Sequence, residues 1–500
     1  MALFVPFVLA AALAIQAAPA PPAPDLKTEV AAVADMLFTG KNDPSLCKPV
    51  EARLARIEAD PGLKDLPSPF QRVALLMVLA CAKADSPTAL SAATRLAPIA
   101  QDRGEILAAN WVLLRDGERR RDTRTFIGAV GRLIDVDASV FADTDPRAFG
   151  WATERARGDT ALTADLLTHL RAVPWRDAAG RDAVDNGWAQ SLARIAVEGG
   201  DKTKALALLD RTTDPLALLD VAQDRRFEKI WPEMEAAGRF DWLKVQTIDL
   251  ERWREARRRQ PELLINVTSE IDALRALGRY DEALALGEDH IRRLKAGETF
   301  EDADDQRSWM LNSHAYTLSA LGRYEDADRI MIEAEGKDAV SQRINRAELL
   351  IDAGQAARAL KVLESVKEKQ SSPFGLMWRD AGLACAKAQL GDLAAARAMA
   401  RSMVARWKDN GGAVTKAQVC AELLDEAAAL YVQRLDDPVT RGVALEAFRT
   451  ARPSPAESAY EKAFHARLES VQARPEVQAA VARWGRVLTV PLAGTYWGRI

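Results

Sequence analysis

The side chains best equipped for chemistry are few in this sequence, and they lie far apart. The segment LACAKA stands at Leu79–Ala84 and again at Leu383–Ala388, and each copy carries one of the four cysteines, Cys81 and Cys385. Cys47 lies 34 residues before Cys81, and Cys420 lies 35 residues after Cys385. A thiol can serve as nucleophile, metal ligand or half of a disulfide. The four histidines, His169, His290, His314 and His465, form no HExxH pair, and none sits beside a cysteine at zinc-like spacing. There is no GxSxG, P-loop or GxGxxG, and the glycines of GAVGRL (Gly128–Leu133) follow no strand. Carboxylates are plentiful, and no pair of them stands out. These observations predict no catalytic residue, no metal site and no bound cofactor, and hence no enzyme.

Charged runs point the same way. RDGERRRDTR (Arg115–Arg124) and ERWREARRRQ (Glu251–Gln260) interleave arginine with acid, as solvated helix faces with local ion pairs do. ETFEDADDQ (Glu298–Gln306) lacks the ligand order and central glycine of a calcium loop and reads as an acidic linker. With 68 basic and 72 acidic residues, a formal charge of −4 and pI near 5.9, the chain has no basic excess to grip nucleic acid. The acceptor pattern at Asn266 is discounted because the leader and composition look bacterial.

These residues must be positioned by helices. The 500-residue chain is 48% hydrophobic and rich in alanine. Residues 1–20 read as a signal peptide: an apolar run, Ala2–Ile15, then small residues. A Pro/Ala leader follows over 21–26. The run is shorter than the roughly 20 apolar residues that a membrane span needs. No later segment qualifies, so no stable span is expected after cleavage. The predicted location is periplasmic or secreted, with an uncleaved inner-membrane anchor as the alternative.

From Lys27 onward apolar residues recur at helical spacing between short turns. ALGRYDEAL (Ala276–Leu284) is echoed by ALGRYEDAD (Ala320–Asp328). The turn glycines Gly200, Gly238, Gly278, Gly322, Gly354 and Gly391 stand 38, 40, 44, 32 and 37 residues apart, a period of helical hairpins. Leu311, Ala315 and Leu318 form one apolar stripe, and Ala327, Ile330, Met331 and Ala334 form its partner. The form L-G-x-[YF]-x-x-A resembles the turn of tetratricopeptide repeats, in a divergent form. The resemblance implies an all-α fold: a right-handed α-solenoid of hairpins with a short C-terminal cap. Another α-solenoid or a helical toroid is the structural alternative. The expected organisation is diverged helical repeats over 27–149, tetratricopeptide-like repeats over 150–435, C-terminal helices over 436–487 and a capping tail over 488–500.

In that family the first helices of the hairpins line a concave groove. Carried over by register, the resemblance puts Gln190, Arg194, Arg275, Trp309, Asn312, Tyr316, Glu348 and Trp378 on that face, where a protein or peptide partner would bind. It does not reproduce the family's basic clamp for a C-terminal carboxylate. The fifth positions are Thr268, Asn312, Ile344 and Ala381, and the ninth are Asp272, Tyr316, Glu348 and Cys385.

Each cysteine interval is close to one hairpin, and exported cysteines tend to be oxidised. Disulfides Cys47–Cys81 and Cys385–Cys420 are therefore expected, with buried free thiols as the other reading. The functional expectation is an exported protein-binding scaffold. The alternatives are a cell-wall enzyme or accessory using groove carboxylates, and a membrane-anchored assembly factor. A lytic transglycosylase would add a compact catalytic segment, for which the tail after Leu488 is too short.

Overall fold

The computed structural model describes residues 25–38, 46–83, 85–176, 178–336, 339–367, 369 and 371–494. The expected signal peptide and residues 21–24 of the Pro/Ala leader lie outside these residues, as does the end of the tail. Among the described residues the chain forms 26 α-helices, a few 3-10 turns and two short strands. It divides into two compact units, Met1–Ile195 and Ala196–Ile500.

The first unit holds α1 (Leu26–Phe38), α2 (Cys47–Ala59), α3 (Ser68–Cys81), α4 (Pro87–Leu96), α5 (Arg103–Arg120), α6 (Thr123–Val136), α7 (Gly150–Ala156), α8 (Thr160–Ala172) and most of α9 (Ala178–Glu198). Val30, Val33, Val50, Leu54, Leu75 and Met77 build one core. An aromatic chain builds another: Phe126 lies 4.7 Å from Trp151, Phe149 5.9 Å from Trp175, and Trp175 6.3 Å from Trp188. Glu105 closes a capping box with Asp102 at the start of α5, and its buried carboxylate also pairs with Arg72 at 2.9 Å. The disulfide Cys47–Cys81 joins the first residue of α2 to the last of α3, with Cα atoms 5.2 Å apart.

The second unit begins with α10 (Lys202–Leu209), α11 (Pro215–Gln223), α12 (Trp231–Ala236) and α13 (Trp242–Arg259). Five helix pairs follow: α14 (Leu264–Ala276) with α15 (Tyr280–Lys295), α16 (Ala303–Ala320) with α17 (Tyr324–Ala334), α18 (Ala339–Asp352) with α19 (Ala356–Glu364), α20 (Pro373–Gln389) with α21 (Leu393–Met403), and α22 (Gly411–Cys420) with α23 (Leu424–Asp436). Then come α24 (Arg441–Glu446), β1 (Arg449–Arg452), α25 (Ala459–Gln472), α26 (Pro475–Trp484) and β2 (Leu488–Ala493). From α13 to α24 each helix packs on its sequence neighbour, and α14, α16, α18, α20 and α22 also pack successively on one another. Both expected stripes are inside: Leu311, Ala315, Leu318, Ala327, Met331 and Ala334 are buried, and Ile330 is half-buried against them.

The turns are built one way. All six turn glycines have positive φ, +73° at Gly278 and +75° at Gly322, a region an L-residue with Cβ enters only at a cost. At the first of these turns the Gly278 amide donates to the Arg275 carbonyl and the Arg279 amide to that of Leu274, each at 2.8 Å. These are the paired bonds of a Schellman helix stop. Two turns reach the same geometry without glycine. Arg121 (φ +55°) links α5 to α6, and Glu422 (φ +57°) links α22 to α23.

The far end of the second unit returns to its beginning. Gln223, at the end of α11, donates from Nε2 to the Leu445 carbonyl at 2.6 Å and accepts from Arg449 Nε at 2.9 Å. Arg449 also pairs with Asp220. Arg486 donates from Nε to the Ala222 carbonyl at 2.6 Å and from its backbone to that of Gln223 at 3.0 Å. The unit is thus tied end to end. Helices α25 and α26 cover α23, the last helix of the array, whereas β2 pairs in parallel with β1 and lies against α13 and α14. The acidic segment Glu298–Gln306 is also more than a linker. The Asp302 carboxylate accepts from the backbone amides of Leu264 and Ile265 at 2.7 and 2.9 Å, and so caps α14, whose own cap residue is Leu263.

Candidate binding face

Counting six residues back from the turn residue of each of the five helix pairs reaches Asp272, Tyr316, Glu348, Cys385 and, through Glu422, Lys416. These equivalent positions lie on the row of first helices, and their neighbours on that row are joined to one another. Arg275 pairs with Asp272 at 3.1 Å, and its guanidinium lies 5.6 Å from the Tyr316 ring. Asn345 Nδ2 donates to Asn312 Oδ1 at 3.0 Å. Lys416 is ion-paired with Glu348, and its ammonium lies 5.9 Å from the rings of both Trp378 and Phe464.

The row has two halves of different character. Asp272 keeps 38% of its side-chain surface accessible, yet burial raises its pKa, with Arg275 pulling it back. Tyr316 is half-buried beside it. In the other half, α25 lies over the row. Lys416 and Glu348 keep 9% and 13% of their side-chain surface. Desolvation pushes the Asp352 carboxyl up to about 7, with Lys416 opposing and Glu348 and Glu461 reinforcing the shift. Burial also raises Tyr460 to about 12. The neighbouring carboxylates raise Lys416 despite its burial. One cation thus serves several acids where α18, α22 and α25 meet. Tyr460 Oη stands 3.4 Å from Cys420 Sγ, over the buried disulfide to Cys385, whose Cα atoms are 4.9 Å apart.

The expected groove residues therefore separate. Arg275 and Tyr316 are brought together, as are Glu348 and Trp378 through Lys416. Asn312 is 1% exposed and Arg275 7%, so neither offers much surface to a partner. Trp309 and Trp378 are half-buried. Gln190 and Arg194 lie on α9 in the first unit, also half-buried. The face over α18 and α22 is occupied by α25, whereas Asp272 and Tyr316 on α14 and α16 stay half-buried. Lys416 escapes a glycine-based register because Glu422 stands at its turn. The signal was present one step later, where LDEAA (Leu424–Ala428) parallels YDEAL (Tyr280–Leu284).

The histidines are set in packing. His290 Nδ1 donates to the Leu286 carbonyl at 2.9 Å, and its Nε2 faces Arg293 at 2.9 Å; burial lowers its pKa. His314 is 2% exposed and is lowered to about 4 by desolvation, with Arg323 adding to the shift. It packs flat on Gly287 of α15. His169 bonds the Asp165 carbonyl at 2.8 Å, and His465 pairs with Glu457 at 3.2 Å. Among the described residues no group of three His, Cys, Asp or Glu side chains is placed to hold a metal ion. The arginine runs are paired locally, Asp116 with Arg119 and Arg120, and the buried Glu270 with Arg254 and Arg257.

No family model matches the chain, and no curated protein matches it. Its functional reading rests on its own geometry.

Proposed function

We propose that the protein is an exported scaffold of tetratricopeptide-like hairpins, arranged as a right-handed α-solenoid, that binds a protein or peptide partner and performs no catalysis of its own. The observation that carries this reading is the half-buried pair Asp272 and Tyr316 on the first-helix row, each in contact with the Arg275 guanidinium. The Tyr316 ring keeps part of its surface accessible, and tyrosine is among the residue types that concentrate binding energy when a partner covers them. The two disulfides fit an oxidising compartment. No helix among the described residues is long and apolar enough to cross a membrane.

A photo-crosslinking residue placed at Tyr316 tests the reading. It should join the protein to a discrete partner polypeptide in envelope extracts, while the same group at the exposed Ile332 of α17 does not. Equal crosslinking at both positions would count against this face. The raised pKa of Asp352 favours a second reading, since acid–base sites perturb carboxyls in this way. On that reading purified sacculi would be turned over and Asp352→Asn would abolish the turnover. The position of Asp352 beneath α25 argues for the scaffold.

A further inference from the structure

Lys416 and Cys420 stand one turn apart on α22, and Glu348 and Asp352 stand one turn apart on α18, so each helix turns both residues to one side. The first turn of α25 reaches both helices. Ser458 donates from Oγ to the Asp352 carbonyl, and Tyr460 Oη stands 3.4 Å from Cys420 Sγ. Glu461, joined to Ser458 in a capping box, accepts from Tyr324 Oη of α17 at 3.3 Å. The ion cluster and the Cys385–Cys420 disulfide thus share one cover.

The charges at this junction are unbalanced. Glu348 on its own helix and Glu461 on α25 both act on the Asp352 carboxyl, and the cation that opposes them, Lys416 of α22, is already paired with Glu348. Asp352 acts in turn on Tyr324 and Tyr460. Glu457 adds negative charge at Glu461 and pairs with His465 at 3.2 Å, while Arg467 acts on Tyr460. Desolvation, opposed by Lys416 and reinforced by Glu348 and Glu461, keeps the Asp352 proton in place up to about pH 7.

Parting the first turn of α25 from α18 and α22 would wet the Asp352 carboxyl and bare Cys420 in one motion. Phe464 and Leu468, further along α25, are buried in the core and stay seated. A wetted carboxyl ionises in its ordinary range, so opening releases a proton. Opening is therefore favoured increasingly as pH rises from that range to 7, where the closed junction loses the proton too and the gain levels off.

We propose that the first turn of α25 is a pH-dependent shutter over the Cys385–Cys420 disulfide. It stays shut while Asp352 keeps its proton between Glu348 and Glu461, and it parts as that proton leaves, giving a small phosphine or thiol reductant access to Cys420. The bridge is a latch that acid protects, separate from the Asp272–Tyr316 face.

The test reduces the full chain with a water-soluble trialkylphosphine at pH 5 and at pH 8, and follows both bridges by alkylation and mass spectrometry. Phosphorus attacks one sulfur, the S–S bond breaks and water hydrolyses the phosphonium, leaving two thiols and the phosphine oxide. The half-buried bridge Cys47–Cys81 is the internal reference, because the reagent's own pH dependence acts on both bridges and cancels in the ratio of their rates. That ratio, inner over outer, should rise about tenfold or more from pH 5 to pH 8. In Asp352→Asn, which removes the titration, it should be flat with pH. In Tyr460→Ala, which removes the cover, it should be high at both pH values, a pattern that unfolding of the whole unit does not give. A ratio independent of pH in the unaltered protein overturns the inference. So does a pH dependence that survives in Asp352→Asn, or a ratio that Tyr460→Ala leaves unchanged.

Discussion

Lys416 of α22 is ion-paired with Glu348 of α18, and the two stand at equivalent positions of hairpins that are not neighbours in sequence. Both are largely withdrawn from water beneath α25. Removing one partner of such a pair strands the other, at a cost of roughly 3–5 kcal/mol, whereas replacing both by apolar groups is often neutral. Lys416→Met is therefore expected to destabilise the second unit by several kcal/mol. Adding Glu348→Leu should recover most of that loss. Urea unfolding of the single and double variants measures the difference.

His314 and Asp352 should tilt stability with pH in opposite directions. His314 is held neutral, with a folded pKa of about 4 against an ordinary value of 6.5. Above 6.5 its contribution is whole. As pH falls toward 4 the unfolded chain takes up a proton that the folded chain refuses, a loss of about 3 kcal/mol in all. Asp352 is raised to about 7, so its contribution is whole below the ordinary carboxyl range and is lost as pH rises through 7. His314→Gln should accordingly raise stability at pH 5 relative to pH 7.5, and Asp352→Asn should raise it at pH 8 relative to pH 5. Denaturant titrations at the paired pH values decide both.

Gly287 should behave against helix propensity. An alanine in a helix interior is ordinarily favoured over glycine by about 1 kcal/mol. Here its Cβ would fall on His314 Nδ1, and overpacking of this kind costs roughly 1–3 kcal/mol. Gly287→Ala is expected to destabilise, and His314→Ala in the same chain should restore the ordinary preference. A double-mutant cycle of unfolding free energies reads the coupling.

The two disulfides should not reduce together. Cys385 and Cys420 are 0% and 2% exposed beneath Tyr460, while Cys47 and Cys81 are half-buried at helix ends. Under native conditions dithiothreitol should open Cys47–Cys81 first, as alkylation followed by mass spectrometry would record. Each bridge closes a loop of one hairpin and is worth roughly 3–4 kcal/mol in the chain-entropy model. Tyr460→Ala should speed reduction of the inner bridge alone.

Local chemistry made much of this architecture legible. The glycines at 278 and 322 announce a left-handed stop, and the stripes through Leu311 and Ala327 announce the faces that pack. What stayed hidden has a common cause. At Arg121 and Glu422 the chain takes the strained conformation without glycine, so the turns carry no mark. The closure through Gln223, Arg449 and Arg486 rests on single polar contacts more than two hundred residues apart, which no periodicity records. Asp302 caps a helix that begins 38 positions before it. The inner face could be registered residue by residue, but the return of α25 over half of it depends on where the chain goes after Asp436, and amphipathicity alone does not say which surface a helix will choose.

The central claim is that the Asp272–Tyr316 face of α14 and α16 binds a partner chain. The most direct measurement is the affinity of a peptide selected from a display library on the intact protein, compared between the unaltered chain and Tyr316→Ala. Truncating an aromatic anchor of a peptide site costs about 2 kcal/mol or more. The account predicts at least a tenfold weaker dissociation constant for the variant, with folding unchanged by circular dichroism. Equal affinity for both proteins would contradict it.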